Sequence, residues 1–308
     1  MFSCDQYVIP ESLDQALQML ARAPTGSRLL AGATDTLPWA RQGRGGDLSG
    51  DAHIAWVIDI SRIAELKGYS IDAGRVRIGA LLVLQEFLEA PALREHLPVM
   101  PYCAIWFADD QIRRQATLIG NLVNASPAAD GTPPMLALDA RLEIARLEEA
   151  SVVRRSVALE DFVSGPGRTS LQPGEIVTAV ECDSAAGYGG AFEKVGQRRS
   201  LVISTVCAAC CVKASAERGL FEDVRLALGG IGPVPVRLRE VEDFLRGKPI
   251  KLELIAEAAS LPTDRVASRT RREYRREVIR GFIERALVDA LADCGIHIEQ
   301  TAKETAHG

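Results

Sequence analysis

The sequence predicts an α+β chain of two or three packed units, and three observations point to it. Strand-like and helix-like segments follow one another without the regular alternation of a doubly wound sheet. A small-residue stretch from Asp183 to Gly190 interrupts the pattern as a linker does. Beyond it, β-branched runs give way to three helical segments. The chain has 308 residues, more than one compact domain usually holds, and its hydrophobic share of 47% is enough for a core in each unit.

The first element expected is a helix from Ser12, where Ser12 and Gln15 form a capping box and Leu13, Ala16, Leu17 and Leu20 keep helical spacing. A strand follows at Arg28 to Ala31, then a helical start near Pro38 and a strand at Trp56 to Ile60. The polar, glycine-rich run from Gln42 to Asp51 reads as a surface loop. Strands are expected at Arg75 to Leu81, Arg141 to Leu147 and Glu175 to Cys182, with helices at Leu84 to Leu88 and Tyr102 to Phe107. Glu148 and Glu149 read as a solvated turn. The last part reads as strands at Ala191 to Val195, Leu201 to Val212 and Val224 to Gly229. Helices follow at Arg237 to Arg246, Leu252 to Ala259 and Arg271 to Asp293. The units run 1–60, 61–182 and 188–298, with a polar tail at 299–308.

Composition excludes several functions. A net charge of -5 is unsuited to neutralising nucleic-acid phosphates. The basic run from Arg269 to Arg276 is interleaved with acids and leads into Val278, Ile279, Phe282 and Ile283, which describes one amphipathic helix. No stretch reads as a membrane span or a secretory signal, so a cytoplasmic protein is expected. The seven cysteines are scattered. Cys207, Cys210 and Cys211 sit in a β-branched run that reads as a buried strand rather than a metal site. The four histidines lack metal-ligand spacing, and no metal site is expected.

Two segments carry chemistry. Leu29-Leu30-Ala31-Gly32-Ala33-Thr34-Asp35-Thr36 is a hydrophobic strand running into small residues ahead of a helical start. Successive amides at such a turn make an anion cradle, and a glycine lets a pyrophosphate approach the main chain. The second segment, Gln111 to Asp130, contains Ala116-Thr117-Leu118-Ile119-Gly120-Asn121 and then Asn124, Ser126 and Asp130. Short side chains and free amides at this density suit phosphate and ribose. Gly230-Ile231-Gly232-Pro233 begins like a dinucleotide fingerprint but ends on proline, and reads as a turn.

Together these segments resemble the FAD-binding subunits of the molybdenum hydroxylase family, the group that includes xanthine dehydrogenase and aerobic carbon monoxide dehydrogenase. There the first segment has the form Ala-Gly-Gly-Thr-Asp-Leu. The second has the form Ile-Arg-Asn-x-Ala-Thr-Ile-Gly-Gly-Asn-Leu, followed by Ala-Ser-Pro-x-x-Asp. The resemblance continues through Gly189 to Arg199, Leu226 to Arg237 and Tyr274-Arg275-Arg276, so it spans nearly the whole chain in order.

The resemblance implies a vanillyl-alcohol-oxidase-like (PCMH-type) FAD fold of two subdomains. A C-terminal CO-dehydrogenase-flavoprotein-like domain of a small antiparallel sheet and helices follows. It implies that Leu29 to Thr36 and Ala116 to Asn121 wrap the diphosphate of a noncovalent FAD. Asp130 would lie on the adenosine side, Lys194 by the flavin, Phe107 flanking the cofactor, and Ile176 and Val177 at a further apolar contact. No residue of this chain is implied as an acid or base on an organic substrate.

The implied role is electron transfer. A large partner subunit would hold the molybdenum cofactor and a small one the two-iron, two-sulfur clusters, in a heterotrimer. Electrons would leave to NAD, oxygen, a quinone or another carrier. The family's glycine doublets stand here as Gly32-Ala33 and Ile119-Gly120. A methyl at Ala33 is accommodated where φ is negative, whereas a β-branched Ile119 at a left-handed position would be strained. Either Ile119 has ordinary φ or the diphosphate loop is altered. An altered loop would suit a scaffold subunit with weakened flavin binding, and a freestanding flavin oxidase of the same fold is the other alternative.

Overall fold

The computed structural model describes residues 2–41, 52–149, 151–198, 201–268 and 270–298. The surface loop expected at 42–51 and the tail expected at 299–308 lie outside them.

The first unit holds β1 (Phe2–Val8), α1 (Leu13–Arg22), β2 (Arg28–Leu30), α2 (Thr36–Arg41) and β3 (Ala52–Asp59). The strands form a parallel sheet in the order β1-β3-β2. Helix α1 begins where expected, because the Ser12 hydroxyl accepts from the Gln15 amide at 3.2 Å and satisfies one of the end's free donors. Its Ala16 and Leu17 are fully buried. Strand β1 escapes sequence reading: Ser3, Asp5 and Gln6 make it look like a polar terminus, and only its ladder with β3 makes it a strand.

The second unit begins with β4 (Tyr69–Asp72) and β5 (Arg75–Gly79) and continues through six short helices. These are α3 (Glu86–Glu89), α4 (Pro91–His96), α5 (Val99–Trp106), α6 (Asp110–Arg113), α7 (Leu118–Val123) and α8 (Thr132–Ala137). Then come β6 (Arg141–Glu148), β7 (Ser151–Ala158), α9 (Leu159–Phe162), β8 (Val163–Gly165), β9 (Arg168–Thr169) and β10 (Glu175–Asp183). The main sheet is antiparallel in the order β4-β5-β10-β6-β7. Strand β10 is central, with Glu175 to Val180 all buried. Glu149 sits in the β6-β7 hairpin at φ 53°, so the expected turn is there, while β7 itself, rich in Arg and Ser, was not anticipated.

The third unit holds β11 (Gly189–Val195), β12 (Val206–Ser215), β13 (Leu220–Gly229), β14 (Val236–Arg237), α10 (Arg239–Leu245), α11 (Leu252–Ser260) and α12 (Arg272–Asp293). Its four-stranded sheet is antiparallel, in sequence order. The expected strand from Leu201 starts later, at Val206. Cys207, Ala209 and Cys211 of β12 join the core of the second unit, while Val206, Ala208, Cys210 and Val212 join the core beneath α10 to α12. A sheet covered on both faces needs apolar residues at every position, which is why this run shows no alternation.

The stretch from Asp183 to Gly190 is therefore not a loose linker. The sheet changes here, but the core does not part. A β-carbon built on Gly189 would fall 1.9 Å from the Ala290 carbonyl oxygen of α12, and one on Gly190 would fall 2.3 Å from the Pro98 carbonyl carbon at the start of α5. The two glycines let β11 pass between helices of different units. No helix among the described residues is long and apolar enough to cross a membrane.

Candidate cofactor-binding site

A cavity of about 730 Å³ opens between the first and second units, within the ~300–1,000 Å³ usual for pockets that take small ligands and cofactors. The loop joining β2 to α2 forms one wall. Among the described residues, no protein group accepts a hydrogen bond from the main-chain N–H of Gly32, Ala33, Thr34, Asp35 or Thr36. Five successive bare donors at a strand-to-helix turn are a cradle for an anion. The cradle is held from behind by a close backbone crossing: a β-carbon on Gly32 would fall 1.9 Å from the Gln115 carbonyl oxygen.

The opposite wall is the start of α7. The Thr117 hydroxyl accepts from the Gly120 amide at 3.0 Å and so caps the helix. A β-carbon on Gly120 would lie 2.7 Å from that same oxygen, so glycine makes room for the cap. Ile119 is 4% exposed and has no left-handed backbone, being the second residue of the helix. The strain falls on the other doublet instead. Ala33 has φ 57°, contrary to the negative φ that would accommodate its methyl group. Ala108 and Ala125, beside Phe107 and Asn124, are left-handed as well, at 45° and 48°. Three alanines in this conformation around one cavity store backbone strain where the walls turn.

Side chains add direction to the site. The Asn124 amide donates to the Asp35 carboxylate at 3.0 Å and links the two walls. Burial holds the Asp35 carboxyl above its usual range. Phe107 lines the cavity, and its carbonyl accepts from the buried Arg113 guanidinium at 2.9 Å. Arg113 thus fixes the segment that presents the ring. Ile176 and Val177 line the floor beside Glu175. Arg155 donates twice to the Glu175 carboxylate, both at 2.7 Å, and holds it below the usual carboxylate range.

Of the residues expected in the site, Leu29, Ala31, Gly32, Ala33, Thr34, Asp35, Thr36, Phe107, Ala116, Thr117, Ile119, Gly120, Asn121, Ile176 and Val177 line the cavity. Leu30 and Leu118 point into the protein cores instead, as strand and helix periodicity requires.

Asp130 and Lys194 are not among the lining residues. They form an ion pair of 2.6 Å in which both side chains are buried. The Ser204 hydroxyl donates to the other Asp130 oxygen at 2.5 Å, and the Lys194 ammonium also donates to the Trp106 carbonyl at 3.2 Å. Burial pushes the Asp130 carboxyl up, opposed by Lys194 and Ser204. Groups 2.6 Å apart cannot mark opposite ends of an extended dinucleotide, so the two roles that the resemblance implies for Asp130 and Lys194 do not both fit this geometry.

Several lining residues were not singled out from sequence, among them Arg28, Trp39, Ile54 and Glu175. Arg28 and Ile54 belong to β2 and β3, whose pairing no local signal announces. Trp39 did carry a signal: an aromatic one helical turn after Asp35, whose carbonyl accepts from the Trp39 amide at 3.0 Å. Among the described residues, no three His, Cys, Asp or Glu side chains gather as a metal site.

Residues 2–182 match the family described as the FAD binding domain in molybdopterin dehydrogenase, and residues 191–290 match the CO dehydrogenase flavoprotein C-terminal domain. The putative xanthine dehydrogenase FAD-binding subunit of Escherichia coli is 30% identical over 96% of this chain and 99% of its own length. The carbon monoxide dehydrogenase medium chain of Hydrogenophaga pseudoflava is 26% identical over 94% of this chain and 98% of its own. Among solved structures, a chain of quinoline 2-oxidoreductase from Pseudomonas putida 86 superposes with a TM-score of 0.83 at 27% identity, covering 94% of this chain and 97% of that one. A chain of a Cu,Mo-CO dehydrogenase gives a TM-score of 0.85 at 25% identity, over 95% and 99%. With both domain models matched in order and the first covering more than half its length, this chain belongs to the FAD-binding medium subunits of the molybdenum hydroxylase family, the flavoprotein components of oxidoreductases.

Proposed function

We propose that this chain holds a noncovalent FAD in the cavity between its first two units, and through it takes electrons from iron-sulfur clusters of a small partner subunit and passes them to NAD, oxygen, a quinone or another carrier. A large partner subunit would hold the molybdenum cofactor and the organic substrate. FAD supplies the ability to accept electrons singly and release them as a pair. The observation that carries the reading is that Gly32 to Thr36 line a cavity of cofactor size with five successive amides that have no partner among the described residues.

The residues present fit that group. The bare amides receive a diphosphate without a cation, leaving the Thr117 hydroxyl free for its capping task. Asp35, kept less acidic by burial and steadied by Asn124, receives a hydroxyl of the cofactor. Phe107, Ile176 and Val177 supply apolar contact and exclude water from a planar ring. Lys194, its charge met by Asp130, ties the third unit to the second, and the Gly230 amide, which donates to the Pro127 carbonyl at 2.8 Å, steadies the wall at Pro127. We assign the units as 1–60, 61–182 and 188–298.

An absorption spectrum of the purified chain, followed by denaturation and identification of any released chromophore, tests the reading. About one FAD per chain is the expected result. A colourless chain that still assembles with its partners would leave a scaffold role as the better account.

A further inference from the structure

Phe107 lines the cavity from a tight turn between two helices. Helix α5 ends at Trp106, Phe107 follows in extended backbone, and Ala108 is left-handed at φ 45°. Asp109 then caps α6, its carboxylate accepting from the Ile112 amide at 2.8 Å. Carbonyls at the end of a helix have no partner within it. Here two successive ones are met by cations from outside: the Trp106 carbonyl accepts from Lys194 at 3.2 Å and the Phe107 carbonyl from Arg113 at 2.9 Å.

Arg113 is the less expected of the two cations. Its side chain is only 9% exposed, whereas the Asp110 carboxylate beside it is 78% exposed. Burying a charge is costly, and an acid that stands in water offsets little of that cost. What the guanidinium supplies is geometry, a planar fork with donors in fixed directions. Nε donates to Gln85 Oε1 at 3.2 Å, Nη1 to the Phe107 carbonyl and Nη2 to the Asp110 carboxylate. Residues 82–85 in turn run beside residues 113–118. The Gln85 amide donates to the Arg113 carbonyl at 3.2 Å, the Leu84 amide to the Ala116 carbonyl at 3.0 Å, and the Leu118 amide to the Leu82 carbonyl at 3.2 Å. They brace Ala116 and Thr117, which line the cavity, and Arg113 ties that brace to the turn carrying Phe107.

We infer that Arg113 is a positioning residue for the bound cofactor: it locks the Phe107 turn to the wall at Ala116 and Thr117, so that the ring stands in place before the cofactor arrives. This rests on the FAD reading above. Arg113 is not among the lining residues, so it acts through Phe107. Left-handed alanine persists only where its surroundings hold it. Without the fork the turn relaxes at Ala108, and binding must then reorder the ring. A lysine at position 113 keeps the charge but presents a point donor, which cannot meet three acceptors in fixed directions.

The full chain, stripped of chromophore, gives two readouts. In hydrogen exchange, Arg113→Lys is expected to speed the amides of residues 107–109 and to leave those of β10 and β12 as they are. In a titration with FAD, Arg113→Lys is expected to weaken binding about tenfold, the loss that follows when the competent conformation falls to about a tenth of the population. The deciding comparison repeats the change beside Phe107→Leu. If Arg113 acts through Phe107, Arg113→Lys costs nothing further in that background, because the two residues then form one coupled unit. Equal losses in both backgrounds overturn the proposal and leave Arg113 a residue of the general fold, as does wild-type affinity in Arg113→Lys. Gln85→Ala removes one acceptor and keeps the guanidinium; it is expected to act in the same direction more weakly, and it carries the test if Arg113→Lys does not fold. Unaltered exchange at 107–109 overturns the role of Arg113 alone, whereas a wild-type chain that binds no FAD overturns the FAD reading itself.

Discussion

The Gly32 to Thr36 loop and the Asp130–Lys194 pair both come from motifs that the resemblance implies as cofactor contacts, yet the protein builds them in opposite ways. The loop leaves five amides without partners among the described residues and holds Ala33 in left-handed backbone. The pair is closed: ammonium, carboxylate and the Ser204 hydroxyl satisfy one another in a buried setting. Bare, strained groups await a ligand, whereas satisfied buried ones hold units together. A motif residue's role is thus read from what its polar atoms already touch.

The contrast can be broken most severely at the closed pair. Lys194→Met strands a buried carboxylate and is expected to lower stability by about 3–5 kcal/mol in chemical denaturation. The double variant Lys194→Met/Asp130→Leu should recover much of that loss. Equal losses in the single and double variants would show that the pair does not act as a unit. At the open loop, Gly32→Val places a branched side chain on the Gln115 carbonyl. A destabilisation of about 1–3 kcal/mol is expected, together with a chain purified free of FAD; retained FAD would mean that the crossing opens without disturbing the cradle.

Ala33→Gly sharpens the comparison in the other direction. It removes a left-handed alanine that stands about 1–2 kcal/mol above right-handed backbone, and restores some unfolded-state entropy. A net gain of about 0.5–1 kcal/mol is expected, read as a higher urea midpoint at constant slope. The smallest effect is in pH dependence. Arg155 holds Glu175 below the ordinary carboxylate range in the folded chain, so its contribution is present above the unfolded value and is lost as pH falls through the folded one. Glu175→Gln should flatten the acid limb of stability against pH, and an unchanged limb would place that dependence on other carboxylates.

Much of this was legible without coordinates. Helix α1 announces itself by Ser12, Gln15 and its apolar spacing, because a cap and a 3.6-residue period are local properties. The two candidate segments stand out by their small residues and backbone freedom, and most of the residues named from them line one cavity. Strands β1 and β7 were not legible, since Asp5, Gln6, Arg154 and Arg155 lie in strands only through pairing with residues far along the chain. The doublets were undecided for a related reason. Of the two alternatives open at Ile119 the structure takes ordinary φ, because capping by Thr117 makes that position helical, whereas Ala33 takes the left-handed backbone that its methyl group argued against.

By itself the sequence determined the family and the two segments of small residues, because each is written in contiguous residues whose spacing is the signal. Only the tertiary structure decided that Asp130 meets Lys194 across 64 positions, that Trp39 and Ile54 line the same cavity, and that Gly189 and Gly190 pass closely between helices of different units. These outcomes depend on which distant surfaces close on one another, and burial and pairing between remote segments leave no periodic trace in the chain.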